Sequence, residues 1–252
     1  MKSNWSDEYL EILEFYYWEP QHLGKSKHPN TKYDSLEKVL EHIRRMEVSL
    51  NHIFNLFFTL LPNKETNELF SRVFQKPFNE EFYFNSRTTR DFVDSFKSAT
   101  QPDLFFPSEN HTVCIEMKVG AQSNFDQLMK YLLLALLENE RSGKQKKFSL
   151  LFTGVGPFEK LFKEGCKNIC ELREQFLGYE IGEKTKNGAI ELGAYREPIY
   201  KLSQEIDIAY LSYAEFHSLL TEMNAETENE ALKNIYRGLM AELEERGFVF
   251  RE

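Results

Sequence analysis

The chain has 252 residues, of which 41% are apolar and 14% aromatic, enough to fill the core of one large domain or two small ones. Its formal net charge of −9 lacks the basic balance of proteins that bind nucleic acid strongly without regard to sequence. No signal-peptide pattern opens the chain, and its most apolar run, Ile53 to Leu61, is far shorter than the roughly 20 residues of a membrane span, so we expect a cytoplasmic protein without membrane contact.

The first part of the chain is predicted to be helical. A short amphipathic helix and a loop rich in turn-forming residues, Pro20 to Asn30, are expected to form an N-terminal arm over residues 1–34. A long helix then runs from Ser35 to Leu61, where Pro62 stops it. Its apolar residues recur every three or four positions, and Glu47 occupies one position of that stripe. A carboxylate is therefore expected on the buried face.

Short runs rich in aromatic and β-branched residues follow a second helical piece, Glu65 to Phe74. Turn-forming residues separate these runs, which are predicted strands and read, in chain order, EFYF, RDFVDSF, DLFF and TVCIEMKV. A helix from about Ser123 to Glu140 and a buried strand, KKFSLLFTG, come next. We interpret the order as helix, three strands, helix and strand, which predicts a mixed α/β core over residues 35–154.

Residues 155–252 are predicted to form a C-terminal α/β extension of the same single domain. The pattern predicts a helix from Phe158 to about Phe176, a strand in the run IDIAYLSY, and helices near Ala214 to Met223 and Glu228 to Arg246. Three cysteines lack the spacing of a zinc site, so we expect reduced thiols.

Two carboxylates and a lysine lie within the apolar β-rich region. Glu116 and Lys118 alternate with apolar residues in one strand and therefore point to the same face. Asp103 begins the preceding strand, and antiparallel pairing would bring its carboxylate beside Glu116. Because two close carboxylates repel each other unless a cation lies between them, this pattern predicts a site for Mg²⁺ or Mn²⁺. Lys118 could then stabilise negative charge on a phosphate or hold an attacking water.

Pro102-Asp103 followed by Glu116-Met117-Lys118 resembles the motif of the PD-(D/E)XK nuclease superfamily. The resemblance covers about Ser35 to Gly154. It implies a restriction-endonuclease-like αβββαβ core with a mixed central sheet flanked by helices. It also implies a Mg²⁺-dependent hydrolase that cleaves DNA phosphodiester bonds as an endonuclease or exonuclease.

The same resemblance assigns roles to individual residues. Asp103, Glu116 and Lys118 would be the catalytic residues, and the two carboxylates would also be metal ligands. The acid of the first helix in the family would correspond to Glu47 as a third ligand. A Gln-x-x-x-Tyr motif on the following helix would correspond to Gln127 and Tyr131, four positions apart on one helix face and expected to support the site.

Several of these residues also have ordinary structural explanations. Glu116 and Lys118 could lie on a solvated strand face, and Pro102-Asp103 could be a turn. Glu47 could instead contact Arg44 or His111, and Glu68 is the second candidate for its position. The remaining alternatives are that Asp94 is a ligand or a turn residue, that Gln175 and Tyr179 form a second Gln-x-x-x-Tyr pair, and that His42, His52 and His111 are structural.

Two other functions remain open from the sequence. The chain could be a catalytically inactive superfamily member that serves as a nucleic-acid-binding or protein-interaction module, for example in a defence system. Aromatic residues in the C-terminal region could also form a contact with a homodimer or protein partner, although core packing explains such residues more often. As a nucleic-acid partner, we expect DNA rather than RNA.

Overall fold

The computed structural model describes residues 5–10, 41, 43–45, 47–83, 100, 102–185 and 190–249. Residues 5–10 are helical, and the longer elements, in chain order, are α1 (Glu47–Leu60), α2 (Asn63–Phe74), β1 (Leu104–Pro107), β2 (His111–Lys118), α3 (Phe125–Ser142), β3 (Lys147–Gly154), α4 (Ile169–Leu177), α5 (Arg196–Glu205), β4 (Asp207–Ser212), α6 (Tyr213–Glu226) and α7 (Glu230–Glu245). The predicted mixed α/β class, with helices flanking a mixed sheet, is confirmed.

The chain divides into two compact units. The first comprises Met1–Leu61 and Ala214–Glu252, and the second comprises Pro62–Tyr213. The sequence-predicted boundary between core and extension, at residue 154, falls inside the second unit, which contains the whole sheet. None of the described helices is long and apolar enough to cross a membrane.

In the first unit, α1 packs against α7. The predicted apolar stripe of α1 is buried, and Phe54 contacts Phe216 with the ring centroids 5.3 Å apart. Glu47 lies in α1 and is only partly buried, in contrast to its predicted position on the buried face. In the N-terminal helical segment, the Trp5 indole donates a hydrogen bond to the carbonyl of Ile235 on α7, at 3.1 Å.

The second unit is organised around the sheet, whose strand order is β1-β2-β3-β4. β1 and β2 are antiparallel, whereas β2, β3 and β4 are parallel, so the carboxyl ends of these three strands lie at one edge. Leu104 is opposite Ile115, and continuing this register by one residue pairs Asp103 with Glu116. At the carboxyl edge Lys118 is opposite Gly154. The topology therefore places the predicted acids and the lysine at one end of β2.

The predicted strand EFYF is wrong for the residues that are described, because 81–83 are not in a strand. Two asparagines of α2 supply the hydrogen bonds that a neighbouring strand would otherwise provide. Asn67 Oδ1 accepts from the Glu80 amide at 2.9 Å, and Asn63 Oδ1 accepts from the Phe82 amide at 3.1 Å. The next predicted strand, RDFVDSF, lies outside the described residues, as do residues 11–40 of the predicted arm and first helix.

Two predictions in the C-terminal half also need correction. The single helix expected from Phe158 to Phe176 is instead a short 3-10 turn, an irregular stretch, and α4, which begins only after Asn168 caps it by accepting a hydrogen bond from the Glu171 amide. Helix α5 was not predicted, and it contains Pro198. Proline is tolerated in the first turn of a helix, where no intrahelical partner is lost, and that is where Pro198 lies.

Replacing Gly238 by Ala tests the contact between α7 and the N-terminal helical segment. A methyl group at Gly238 would overlap the Trp5 indole, so we expect Gly238→Ala to lower the free energy of unfolding by roughly 1–3 kcal/mol. In a Trp5→Ala background the same substitution should be neutral or stabilising by up to about 1 kcal/mol, because alanine favours helix. Urea unfolding of the wild type, the two single variants and the double variant measures the effect of Gly238→Ala in both backgrounds. Equal effects in the two backgrounds would contradict this packing.

Candidate functional site

The candidate site lies where β2 ends and α3 begins, and both elements have a local reason to be there. β2 is a central strand that is buried from His111 to Met117. α3 starts where the side chain of Asn124 accepts a hydrogen bond from the amide of Gln127, at 2.9 Å. Gln127 and Tyr131 follow each other by one turn on the same side of α3. Both side chains extend to the end of β2.

Glu116 is the centre of the site and is only 3% exposed. Its Oε1 accepts a hydrogen bond from Gln127 Nε2, and its Oε2 accepts one from Tyr131 Oη. The ammonium of Lys118 lies 2.5 Å from Glu116 Oε1. A buried carboxylate is costly unless it is paired and hydrogen-bonded. Three neighbouring side chains meet that requirement here.

Asp103 joins the site from the residue just before β1. Its Oδ2 accepts a hydrogen bond from the amide of Met117 at 2.8 Å. The amide belongs to the residue between Glu116 and Lys118, so this contact fixes Asp103 to the same stretch of β2. Thus Asp103, Glu116, Lys118, Gln127 and Tyr131 all belong to one cluster, as the sequence predicted.

Tyr131 is fully buried, and its hydroxyl is held in the neutral form. Burial raises the pKa of Tyr131 well above its usual range, and the charges of Glu116 and Asp103 raise it further. Tyr131 is therefore a hydrogen-bond donor to Glu116 at neutral pH and not a base.

A divalent metal is the cofactor that the sequence predicted. Among the described residues, no group of three or more His, Cys, Asp and Glu side chains could hold a metal ion. The two carboxylates Asp103 and Glu116 nevertheless fit Mg²⁺ or Mn²⁺ chemically, because Mg²⁺ commonly uses one or two carboxylates together with water and substrate phosphate. Lys118 already neutralises part of the charge on Glu116.

Other candidates of the sequence analysis include Glu47, Glu68, Asp94 and the second Gln-x-x-x-Tyr pair. Glu47 belongs to the first unit, and its role as a third ligand stays a prediction. Glu68 forms an ion pair with Arg72 on α2 at 2.7 Å and is about half exposed. Asp94 lies outside the described residues. Gln175 of the second Gln-x-x-x-Tyr pair donates to Glu171 at 3.0 Å.

Two of the three histidines have hydrogen-bond partners that suit a structural role. His52 shares a hydrogen bond with the hydroxyl of Tyr9 at 2.7 Å. His111 Nε2 lies 2.8 Å from the hydroxyl of Ser149, and burial together with the charge of Lys76 lowers the pKa of His111 to about 4. The third, His42, lies outside the described residues.

Ser123 was not singled out by the sequence. Its buried hydroxyl donates to Gln127 Oε1 at 3.0 Å, so the amide nitrogen of Gln127 is left to face Glu116. The signal available in the sequence was the Ser-Asn pair directly before α3, which is typical of a helix start. Ser123 thus orients a residue that in turn contacts the central carboxylate.

Neither protein-family models nor curated proteins gave a match to this sequence. The family resemblance therefore rests on the residues of the motif themselves.

The hydrogen bond from Tyr131 to Glu116 can be tested through its pH dependence. The pKa of Tyr131 is raised in the folded protein. The protonated hydroxyl therefore contributes fully to the free energy of unfolding below about pH 10, the pKa of tyrosine in the unfolded chain. This contribution is lost as the pH rises above that value. We expect Tyr131→Phe to cost about 1.5–3 kcal/mol at pH 8, as for other hydrogen bonds to charged groups. Between pH 10 and 11 the free energy of unfolding should fall less steeply in the variant than in the wild type, by up to about 1.4 kcal/mol per pH unit.

Urea unfolding across this pH range measures both effects. Tyr83→Phe is the matched control, since Tyr83 is 66% exposed. If Tyr131→Phe and Tyr83→Phe give the same stability and the same alkaline slope, the hydrogen bond to Glu116 does not stabilise the fold.

Proposed function

We propose that this protein is a metal-dependent nuclease that hydrolyses phosphodiester bonds in DNA. The single observation that carries the proposal is the buried carboxylate of Glu116, which Lys118, Gln127 and Tyr131 contact together. Asp103 accepts a hydrogen bond from the Met117 amide, in the residue next to Glu116. A carboxylate pair and a lysine at one end of a strand is the chemistry that the motif resemblance implies.

Each residue has a part that follows from its contacts. Asp103 and Glu116 would hold Mg²⁺, which supplies Lewis-acid polarisation of a phosphate oxygen and lowers the pKa of a bound water. Gln127 and Tyr131 keep the Glu116 carboxylate in one orientation through its two oxygens. A carboxylate fixed in advance costs no reorganisation during the reaction.

Lys118 is the residue that would contact the phosphate. Its ammonium has three donors, so it can keep its contact with Glu116 and also donate to a water or to a phosphate oxygen. The side chain is 14% exposed, which gives it access to a ligand at the surface. A fixed positive charge beside the scissile phosphate stabilises the negative charge that grows there in the transition state.

A second candidate is a nucleic-acid-binding module without catalysis. It is favoured because the hydrogen-bonding capacity of Glu116 is already in use. Glu116 Oε1 accepts hydrogen bonds from both Gln127 and Lys118. In this alternative the ammonium replaces the metal permanently, and the cluster stabilises only the fold. The two candidates differ in whether the metal binds and in whether DNA is cut.

Replacing Lys118 by Met separates them. We expect Lys118→Met to remain folded and to lower Mg²⁺-dependent cleavage of linear and circular DNA by about 100- to 1,000-fold, the loss typical of one removed electrostatic contact in a transition state. Cleavage is measured by gel electrophoresis, with thermal unfolding as the check on the fold.

Lys146→Met is the matched control. Lys146 forms an ion pair with Glu138 at 3.2 Å, with both side chains about as buried as Lys118, but Lys146 precedes β3 at the opposite edge of the sheet. We expect Lys146→Met to cleave as the wild type does. Cleavage retained in Lys118→Met would rule out the role given to this lysine.

A further inference from the structure

An exposed segment with three lysines runs beside the candidate site. Residues 157–167, here called the lysine segment, begin three residues after β3 ends and carry Lys160, Lys163 and Lys167. All three lysines are exposed, and their ammonium groups form no ion pair with any residue that the structure describes. Unpaired positive charge therefore lies next to the proposed phosphate site.

The main chain of the lysine segment is attached to the loop that follows β2. The Ser123 amide donates to the carbonyl of Leu161 at 2.7 Å, and the Lys163 amide donates to the carbonyl of Ser123 at 3.0 Å. Gln122 Nε2 donates to the carbonyl of Lys160 at 3.1 Å. These bonds fix the backbone at the first two lysines and leave their side chains in solvent.

Two buried apolar side chains of the lysine segment anchor it to the protein core. Leu161 and Phe162 are 5% and 1% exposed. The ring centroid of Phe162 lies 5.1 Å from that of Phe152, a residue of β3. Since two buried residues separate Lys160 from Lys163, both lysines are held on a well-packed base rather than on a loose loop.

The attachment point is close to the site in the chain and in space. Ser123 lies five residues after Lys118, and the same Ser123 orients Gln127 through its hydroxyl. Lys118 is opposite Gly154 in the sheet, three residues before the lysine segment begins. The lysine segment and the candidate site therefore share the carboxyl edge of the sheet.

Two acidic side chains belong to the same stretch. Glu164 Oε1 accepts a hydrogen bond from the Phe125 amide at 3.0 Å and is thereby directed to the start of α3. Glu159 is exposed. The local balance remains positive, with three lysines against these two carboxylates, in a chain whose total charge is −9. The lysine segment thus has a small excess of positive charge beside the proposed phosphate site.

We propose that the lysine segment binds the phosphodiester backbone of DNA and holds the strand against Glu116 and Lys118. The inference rests on the proposed function, since it supplies the substrate contact that the nuclease reaction requires. Lysine contacts to phosphates position a strand without reading its bases. Such binding is independent of sequence and weakens as salt displaces the counterions that it releases.

The test is a fluorescence anisotropy titration of labelled DNA with metal chelated, so that no cleavage contributes to the signal. It compares the wild type with Lys160→Gln/Lys163→Gln, using a duplex and a single strand of the same sequence, between 50 and 200 mM salt. Lys64→Gln/Lys147→Gln is the matched control. Lys64 and Lys147 are also exposed lysines of the second unit, and Lys147 begins β3 at the opposite edge of the sheet.

We expect the loss of two phosphate contacts to raise the Kd by about tenfold at the lowest salt. The slope of log K against log salt should become shallower by about 1.8 for the duplex, or about 1.4 for the single strand. The control should match the wild type. Equal Kd and slope in all three proteins, or no DNA binding by the wild type, would overturn the proposal.

Cleavage assays on the same proteins separate this proposal from the proposed function. If the lysine variant binds DNA weakly and the wild type never cuts it, the binding surface stands and the nuclease reaction fails. If the wild type cuts DNA and the lysine variant has an unchanged KM, the nuclease stands and the surface is wrong. Tighter lysine-dependent binding of RNA than of DNA would overturn DNA as the ligand.

Discussion

The buried carboxylate of Glu116 is the constraint on which this arrangement depends. A carboxylate with 3% exposure inside an apolar sheet requires compensation, and Lys118, Gln127 and Tyr131 supply it from the same strand and the following helix. Gln127 and Tyr131 can reach Glu116 because α3, which Asn124 caps, begins beside the end of β2. One charged group thereby fixes the position of a helix against a strand.

The sheet explains why this buried cluster lies next to a partly exposed edge. β2 is buried along its length between β1 and β3, and only its final residue, Lys118, becomes partly exposed. Parallel pairing with β3 brings Gly154 and the lysine segment to the same edge. Ligand sites of parallel sheets commonly lie at the carboxyl ends of the strands. The cluster, its partly exposed lysine and the free lysines beside it follow that rule.

Periodicity and motif spacing predicted the parts of the molecule that depend on local patterns. Gln127 and Tyr131 could be placed on one helix face from their separation of four, and Glu116 and Lys118 on one strand face from their separation of two. The structure brings all four together. Helices α1, α2, α3, α6 and α7 and strands β1, β2, β3 and β4 were predicted for the same reason.

What the sequence did not predict depends on long-range hydrogen bonds or on exceptions to local rules. The stretch at 80–82 has the composition of a strand, but Asn63 and Asn67 of α2 bind its amides. Nothing in the sequence pairs Ser123 with Leu161 and Lys163, contacts that bring the lysine segment to the site. Helix α5 was not predicted, although Pro198 lies in its first turn, where proline is tolerated.

The most direct test of the central claim, that Asp103 and Glu116 form a metal site, is calorimetric titration of Mn²⁺ into the wild type and into Asp103→Asn. The asparagine oxygen can still accept the hydrogen bond from the Met117 amide, so the variant removes a charge and keeps the backbone contact. We predict saturable Mn²⁺ binding by the wild type and at least about tenfold weaker binding by the variant. No binding by the wild type, or equal binding by both proteins, would contradict the metal site.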